Sequence, residues 1–172
     1  MRLFISIPLE DETARLISDV QKTFRQKNVR GSYTPQENLH ITLAFIGEYN
    51  DPDAVMAAMD RVRFAPFSVT VDRIGSFGDL LWAGIAENKH LEDLVRDLRR
   101  ELAKSDIPFD KKRFRAHVTF LRRAENMNAL YVPGQIKPAV MTVNGISLML
   151  STRGKNGMIY TELGYSSAEV LP

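Results

Sequence analysis

The 172-residue chain has no cysteine, one tryptophan and only three histidines. Without thiols it can form neither a disulfide framework nor a thiolate metal site, which suits a reducing cytoplasm. Long apolar runs are also missing. The longest early one, Leu3 to Leu9, is broken by Ser6 and Pro8 and falls well short of the roughly 20 apolar residues of a membrane span or the core of a signal peptide. A cytoplasmic protein with no membrane attachment is expected. No Walker loop, no Gly-x-Gly-x-x-Gly after a strand and no Gly-x-Ser-x-Gly elbow occurs, so no nucleotide-cofactor fingerprint and no serine-hydrolase elbow is present. No cofactor is expected, and nothing in the chain calls for an obligate protein partner. What remains is 44% hydrophobic and 26% charged with a net charge of +2, the profile of an ordinary globular chain. At this length residues 1–172 are read as one domain, able to bury about 70% of the surface of the unfolded chain.

Scarcity makes the placement of the histidines informative. His40-Ile41-Thr42-Leu43 recurs 77 positions later as His117-Val118-Thr119-Phe120. In an extended strand side chains alternate between faces, so each copy offers an imidazole and a hydroxyl on one side and apolar groups on the other. If the two strands lie side by side, one cavity receives two acid/base groups and two hydroxyls. His90, the remaining histidine, has no following threonine and is read as a surface residue.

Periodicity places these strings in a repeated framework. Arg2 to Pro8 reads as a strand. Asp11 to Gln26 reads as a helix with Leu16, Ile17, Val20 and Phe24 at helical spacing and acidic residues at its positive end. Tyr33-Thr34 leads through Pro35 to the first motif strand, Leu39 to Ile46. Asp51-Pro52 opens a second helix to about Arg63. A strand begins at Phe67, a turn is expected from Gly75 to Gly78, a strand follows from Leu80 to Ala86, and a helix from Glu87 to Lys104. The second motif strand, Arg115 to Arg122, precedes an irregular stretch around Pro133-Gly134 and Pro138. Val140 to Leu150 and Met158 to Tyr165 form a terminal hairpin across Gly154 to Gly157. Shifting the chain by 78 lays Leu3 to Ile7 on Leu81 to Ile85, and Leu16, Ile17 and Val20 on Leu94, Val95 and Leu98. A strand, a helix and a motif strand therefore repeat, the trace of a duplicated βαβ-type unit with approximate two-fold symmetry.

The chemistry follows from what the motifs contain and omit. Neither brings the three or four ligands of a zinc site, so no metal is expected. Two imidazoles can act as base and acid in a displacement at phosphorus, each contributing about 10²–10⁴-fold, while hydroxyls hold the non-bridging oxygens. Lys111, Lys112, Arg113 and Arg115 precede the second motif and Arg122 and Arg123 follow it. Such a run is commonly a solvated basic face; beside a two-histidine cavity it also fits an anionic, polynucleotide substrate.

At these residues the chain resembles the two-histidine (2H) phosphoesterase superfamily, and within it the LigT-type RNA 2′,3′-cyclic phosphodiesterases of the 2′-5′ RNA ligase family. The resemblance runs through Met1 to Ile7, Pro35 to Glu48, Leu81 to Gly84, Arg113 to Phe120 and the terminal hairpin. It departs from the family at Ala116, where proline is common, and at Tyr33, where tryptophan is. The resemblance implies an α+β fold of two pseudo-symmetric lobes, with antiparallel sheets around a central cleft and helices outside. It implies hydrolysis of an RNA or nucleotide 2′,3′-cyclic phosphate to a 2′-phosphate, with His40 and His117 catalytic and Thr42, Thr119, Arg122 and Phe45 binding substrate. By the same resemblance His40 protonates the leaving oxygen and His117 activates water. Strict alternation sets Arg122 and Phe45 on the face opposite their histidine, so their part requires a twist or bulge in each strand. Two alternatives use the same residues: a binding module for RNA with little turnover, and reversible 2′-5′ ligation.

Overall fold

The computed structural model describes residues 1–127 and 135–170. Among the described residues nine strands and three α-helices follow one another as β1 Arg2–Pro8, α1 Asp11–Gln26, β2 Arg30–Tyr33, β3 His40–Glu48, α2 Pro52–Asp60, β4 Phe67–Phe77, β5 Leu80–Ile85, α3 Lys89–Lys104, β6 His117–Glu125, β7 Gln135–Val143, β8 Gly145–Gly154 and β9 Gly157–Ser167. They build two antiparallel sheets, one ordered β3-β1-β8-β9 and the other β2-β6-β5-β4-β7. The α+β, two-sheet fold expected from the sequence is present.

The duplication is visible in the pairing. In the first sheet the motif strand β3 pairs with β1, which pairs with β8; in the second, β6 pairs with β5, which pairs with β4. Each repeat unit is strand, helix, antiparallel strand, not the parallel crossover that a βαβ reading implies. The two motif strands are not sheet neighbours either. Each belongs to its own sheet, and they approach one another across the space between the sheets.

Register also corrects the alignment. Ser6 lies opposite Thr42, and Trp82 opposite Thr119, so Trp82 is the counterpart of Ser6, two residues from where a shift of 78 puts it. An even offset preserves the alternation of faces, which is why hydrophobic matching could not detect it.

The lobes are interwoven. β4 follows the first motif unit in the chain yet joins the second sheet, and β8 and β9 return from the C-terminal half to complete the first. Two helices cross over as well: α1 packs on β6 and β7, with Phe24 edge-on to Phe120 at 5.6 Å, and α3 packs on β3, whereas α2 stays with the first sheet on β8 and β9. The outward faces of both sheets and the inner faces of the helices form the core, with Ile5, Ile17, Ile41, Leu98, Val118 and Phe120 almost wholly buried.

Three local readings change. β4 runs through Gly75 and turns only at Gly78, because Gly75 gives room to an aromatic ring: a Cβ there would stand 2.2 Å from Cη2 of Trp82. Pro138 lies inside β7, an edge strand, where a missing N–H is tolerated and the pairing with β4 is interrupted near Asp72. The stretch from Val140 to Leu150 is two strands, because the chain leaves one sheet and enters the other at Asn144, where the buried apolar positions pass from Met141 and Val143 to Ile146 and Leu148. β2 was not anticipated; a four-residue edge strand has too little pattern to read. Pro133-Gly134 lies outside the described residues.

Candidate active site

His40 and His117 begin their strands, and each is held by a backbone carbonyl two residues earlier. The ring Nδ1 of His40 lies 2.7 Å from the oxygen of Asn38, and Nδ1 of His117 is hydrogen-bonded to the oxygen of Arg115. A carbonyl can only accept, so both rings carry their proton on Nδ1 and present Nε2 as the working nitrogen. Nε2 of His40 meets the Thr42 hydroxyl at 2.8 Å, which in the neutral ring is Thr42 donating. Thr119 holds the equivalent place beside His117, and its backbone oxygen accepts from the Thr34 hydroxyl at 3.1 Å.

Aromatic rings wall both imidazoles. Phe4 and Tyr160 stand 5.0 and 5.5 Å from His40, and Phe77 and Trp82 stand 5.5 and 6.3 Å from His117. None of these four was singled out from sequence as part of the site. Phe4 and Trp82 reach it through strand pairing, Phe77 from the next strand of its sheet and Tyr160 from β9, beyond β8, relations that lie far apart along the chain.

Arg122 and Phe45 each come five positions after their histidine, an odd step that alternation sends to the other face. Both strands contain the bulge that reverses this. Ile5 and Ser6 are opposed by Ala44 and Thr42, leaving Leu43 extra; Leu81 and Trp82 are opposed by Leu121 and Thr119, leaving Phe120 extra. The consecutive pairs Leu43-Ala44 and Phe120-Leu121 are accordingly both buried. Beyond each bulge Phe45 and Arg122 rejoin the histidine face. Phe45 is 53% exposed and lies 6.4 Å from Phe4, so its ring is presented to the cleft. Arg122 is near enough to act electrostatically on both imidazoles.

Burial pushes both histidines below their ordinary pKa. The hydrogen bonds to Asn38 and Arg115 oppose the shift, while the Arg122 charge reinforces it at both, and the charge of His117 adds to it at His40. The neutral form of both rings is thereby favoured. His90 is exposed on α3 and packs against Phe67, 5.9 Å between ring centres. Among the described residues no group of three or more His, Asp or Glu side chains is placed to hold a metal ion, and no helix is long and apolar enough to cross a membrane.

Two interwoven antiparallel lobes, each giving a His-x-Thr strand with the same bulge to the space between the sheets, define a two-histidine phosphoesterase architecture. The model of the 2′-5′ RNA ligase superfamily matches residues 9–155, and the chain belongs to that family. An RNA 2′,3′-cyclic phosphodiesterase of Thermotoga maritima is 28% identical over 95% of this chain and 93% of its own length. One from Escherichia coli is 30% identical over 77% of this chain and 78% of its own. The crystal structure of E. coli LigT complexed with 3′-AMP superposes with a TM-score of 0.82 at 27% identity, covering 97% of this chain and 96% of that one.

Proposed function

We propose that the protein is an RNA 2′,3′-cyclic phosphodiesterase that opens the cyclic phosphate of an RNA end or nucleotide to a 2′-phosphate, using side chains without a metal. The relatives that carry this activity in their names span most of the chain. The observation that supports the mechanism is the repeated clamp: two imidazoles, near enough for the charge of one to act on the other, each with Nδ1 committed to a carbonyl and Nε2 left as the working nitrogen.

In this mechanism one Nε2 takes a proton from water as it attacks phosphorus, and the other gives a proton to the departing 3′ oxygen. We assign the acid to His40 and the base to His117. Thr42 and Thr119 donate to the non-bridging oxygens, Arg122 offsets the charge gathering there, and Phe45 stacks on the base. Anion binding raises both imidazole pKa values, which allows one ring to hold the proton it must donate. With a 5′-hydroxyl attacking phosphorus in place of water, and the same 3′ oxygen leaving with a proton from the acid, the same pair forms a 2′-5′ bond. Because each sheet borrows strands from the other half of the chain, we take residues 1–172 as a single domain. A cysteine-free chain of this kind suits the reducing cytoplasm.

His40→Ala and His117→Ala each remove most turnover of a 2′,3′-cyclic nucleotide, and the double variant is scarcely slower than either, because acid and base act in one transition state. Additive losses in steady-state kinetics contradict a concerted pair. Retained RNA binding by the double variant, together with no turnover by the native enzyme, indicates the binding module.

A further inference from the structure

The two halves of the site share their chemistry but not their surroundings. On the first sheet Ser6 sits beside Thr42 and is paired on its other side with Ser147, both buried. At the corresponding places on the second sheet stand Trp82 and Gly75. The indole takes up the space a side chain at Gly75 would need, and the Arg73 side chain does the same over Gly84, where a Cβ would lie 2.7 Å from its Cγ. Two large side chains are thereby held against the sheet next to His117.

Beside them opens a cavity of about 440 Å³, bordered by Arg73, Phe77, Trp82, Arg115 and His117, within the range of small-molecule sites. Its lining is mixed. Arg73 is ion-paired with Asp72 at 3.0 Å and still 41% exposed in its side chain, and the Arg115 guanidinium lies 5.6 Å from the Phe77 ring centre. Glu87 and Glu92, from the end of β5 and the start of α3, also line it. Carboxylates make the cavity a poor trap for a bare anion. Arginines for a phosphodiester, aromatic rings for a base and acceptors for its N–H groups and ribose hydroxyls suit a whole nucleotide. The Nε1–H of Trp82 is buried with no partner among the described residues, a cost that an apolar side chain would avoid.

We propose that the cavity beside His117 is a second nucleotide subsite, holding the unit next to the reacting cyclic phosphate with its base on Trp82 and Phe77 and its phosphodiester at Arg73 and Arg115. The proposal deepens the cyclic phosphodiesterase reading and rests on it for the position of the first nucleotide. Acid/base chemistry can be two-fold symmetric, but an RNA chain leaves the phosphate in one direction only, and the cavity beside His117 supplies that direction. The unit comes either from the cyclic-ended strand itself or from a 5′-hydroxyl acceptor strand.

Trp82 is the only tryptophan, so its fluorescence reports occupancy independently of turnover. Titration with an adenylyl-adenosine bearing a terminal 2′-phosphate is expected to quench Trp82 and to bind at least tenfold tighter than adenosine 2′-phosphate. Arg73→Gln is expected to reduce that preference severalfold or more while preserving the thermal unfolding midpoint. A second arm adds unphosphorylated adenylyl-adenosine to enzyme saturated with adenosine 2′-phosphate; further quenching assigns the subsite to the acceptor strand, and quenching in the first arm alone assigns it to the strand's own preceding nucleotide. Equal affinities with no quenching in either arm, or an Arg73→Gln loss equal for both ligands, overturn the subsite. Loss of cyclic-phosphate turnover with the quenching intact overturns the reaction and leaves the subsite standing.

Discussion

A backbone carbonyl two residues before each histidine decides what the imidazole can do. It holds the proton on Nδ1, turns Nε2 to the cleft and partly offsets the burial that makes each ring reluctant to ionise. Arg122 works against ionisation at both rings, as a cation destabilises a second cation nearby. Arg122→Gln should therefore raise both imidazole pKa values and move both limbs of the pH profile of kcat/KM to higher pH. Turnover should fall by about 10²-fold, as for loss of one donor to a developing oxyanion. An unmoved profile would mean that Arg122 does not face the rings. The His-Thr pairs were legible because the repeat printed them twice in a chain with three histidines. Phe4, Tyr160, Phe77 and Trp82 were not, since strand register rather than sequence spacing brings them to the rings.

At the scale of elements, the bulges carry the argument. A single extra residue in each motif strand turns the fifth residue after the histidine back toward it, an outcome that period-two reasoning could state as a requirement but not foresee. The bulge in β6 is fixed from outside by α1: Nε2 of Gln21, which is buried, donates to the oxygens of Phe120 at 2.9 Å and Thr34 at 2.8 Å. Gln21→Leu should cost about 1–3 kcal/mol, because buried carbonyls lose a donor. Urea unfolding followed by Trp82 fluorescence and by far-UV circular dichroism should give one coincident transition for both proteins, at lower urea for the variant. Separate midpoints for the two probes would contradict the single domain. Helix α1 was readable to its ends because sixteen residues carry a strong apolar stripe. The passage from β7 to β8 was not, since the one-residue slip at Asn144, from Met141 and Val143 to Ile146 and Leu148, is short enough to pass for an irregularity within one strand.

Across the whole molecule, strand exchange is what makes two halves into one site. With β4 committed to the second sheet and β8 and β9 to the first, each lobe depends on both halves of the chain, and the two motif strands approach one another between the sheets. The α+β class and the family were legible because the paired motifs and their flanks cover most of the chain. The exchange itself was not, since a duplicated pattern is equally compatible with two separate lobes. The proposed reaction is decided most directly by what becomes of a cyclic phosphate. An oligonucleotide ending in a 2′,3′-cyclic phosphate, incubated with the protein in a metal chelator and resolved by product analysis, should yield a 2′-phosphate end, with any joined product linked 2′-5′. An intact cyclic phosphate, or an end opened only when metal is restored, would contradict it.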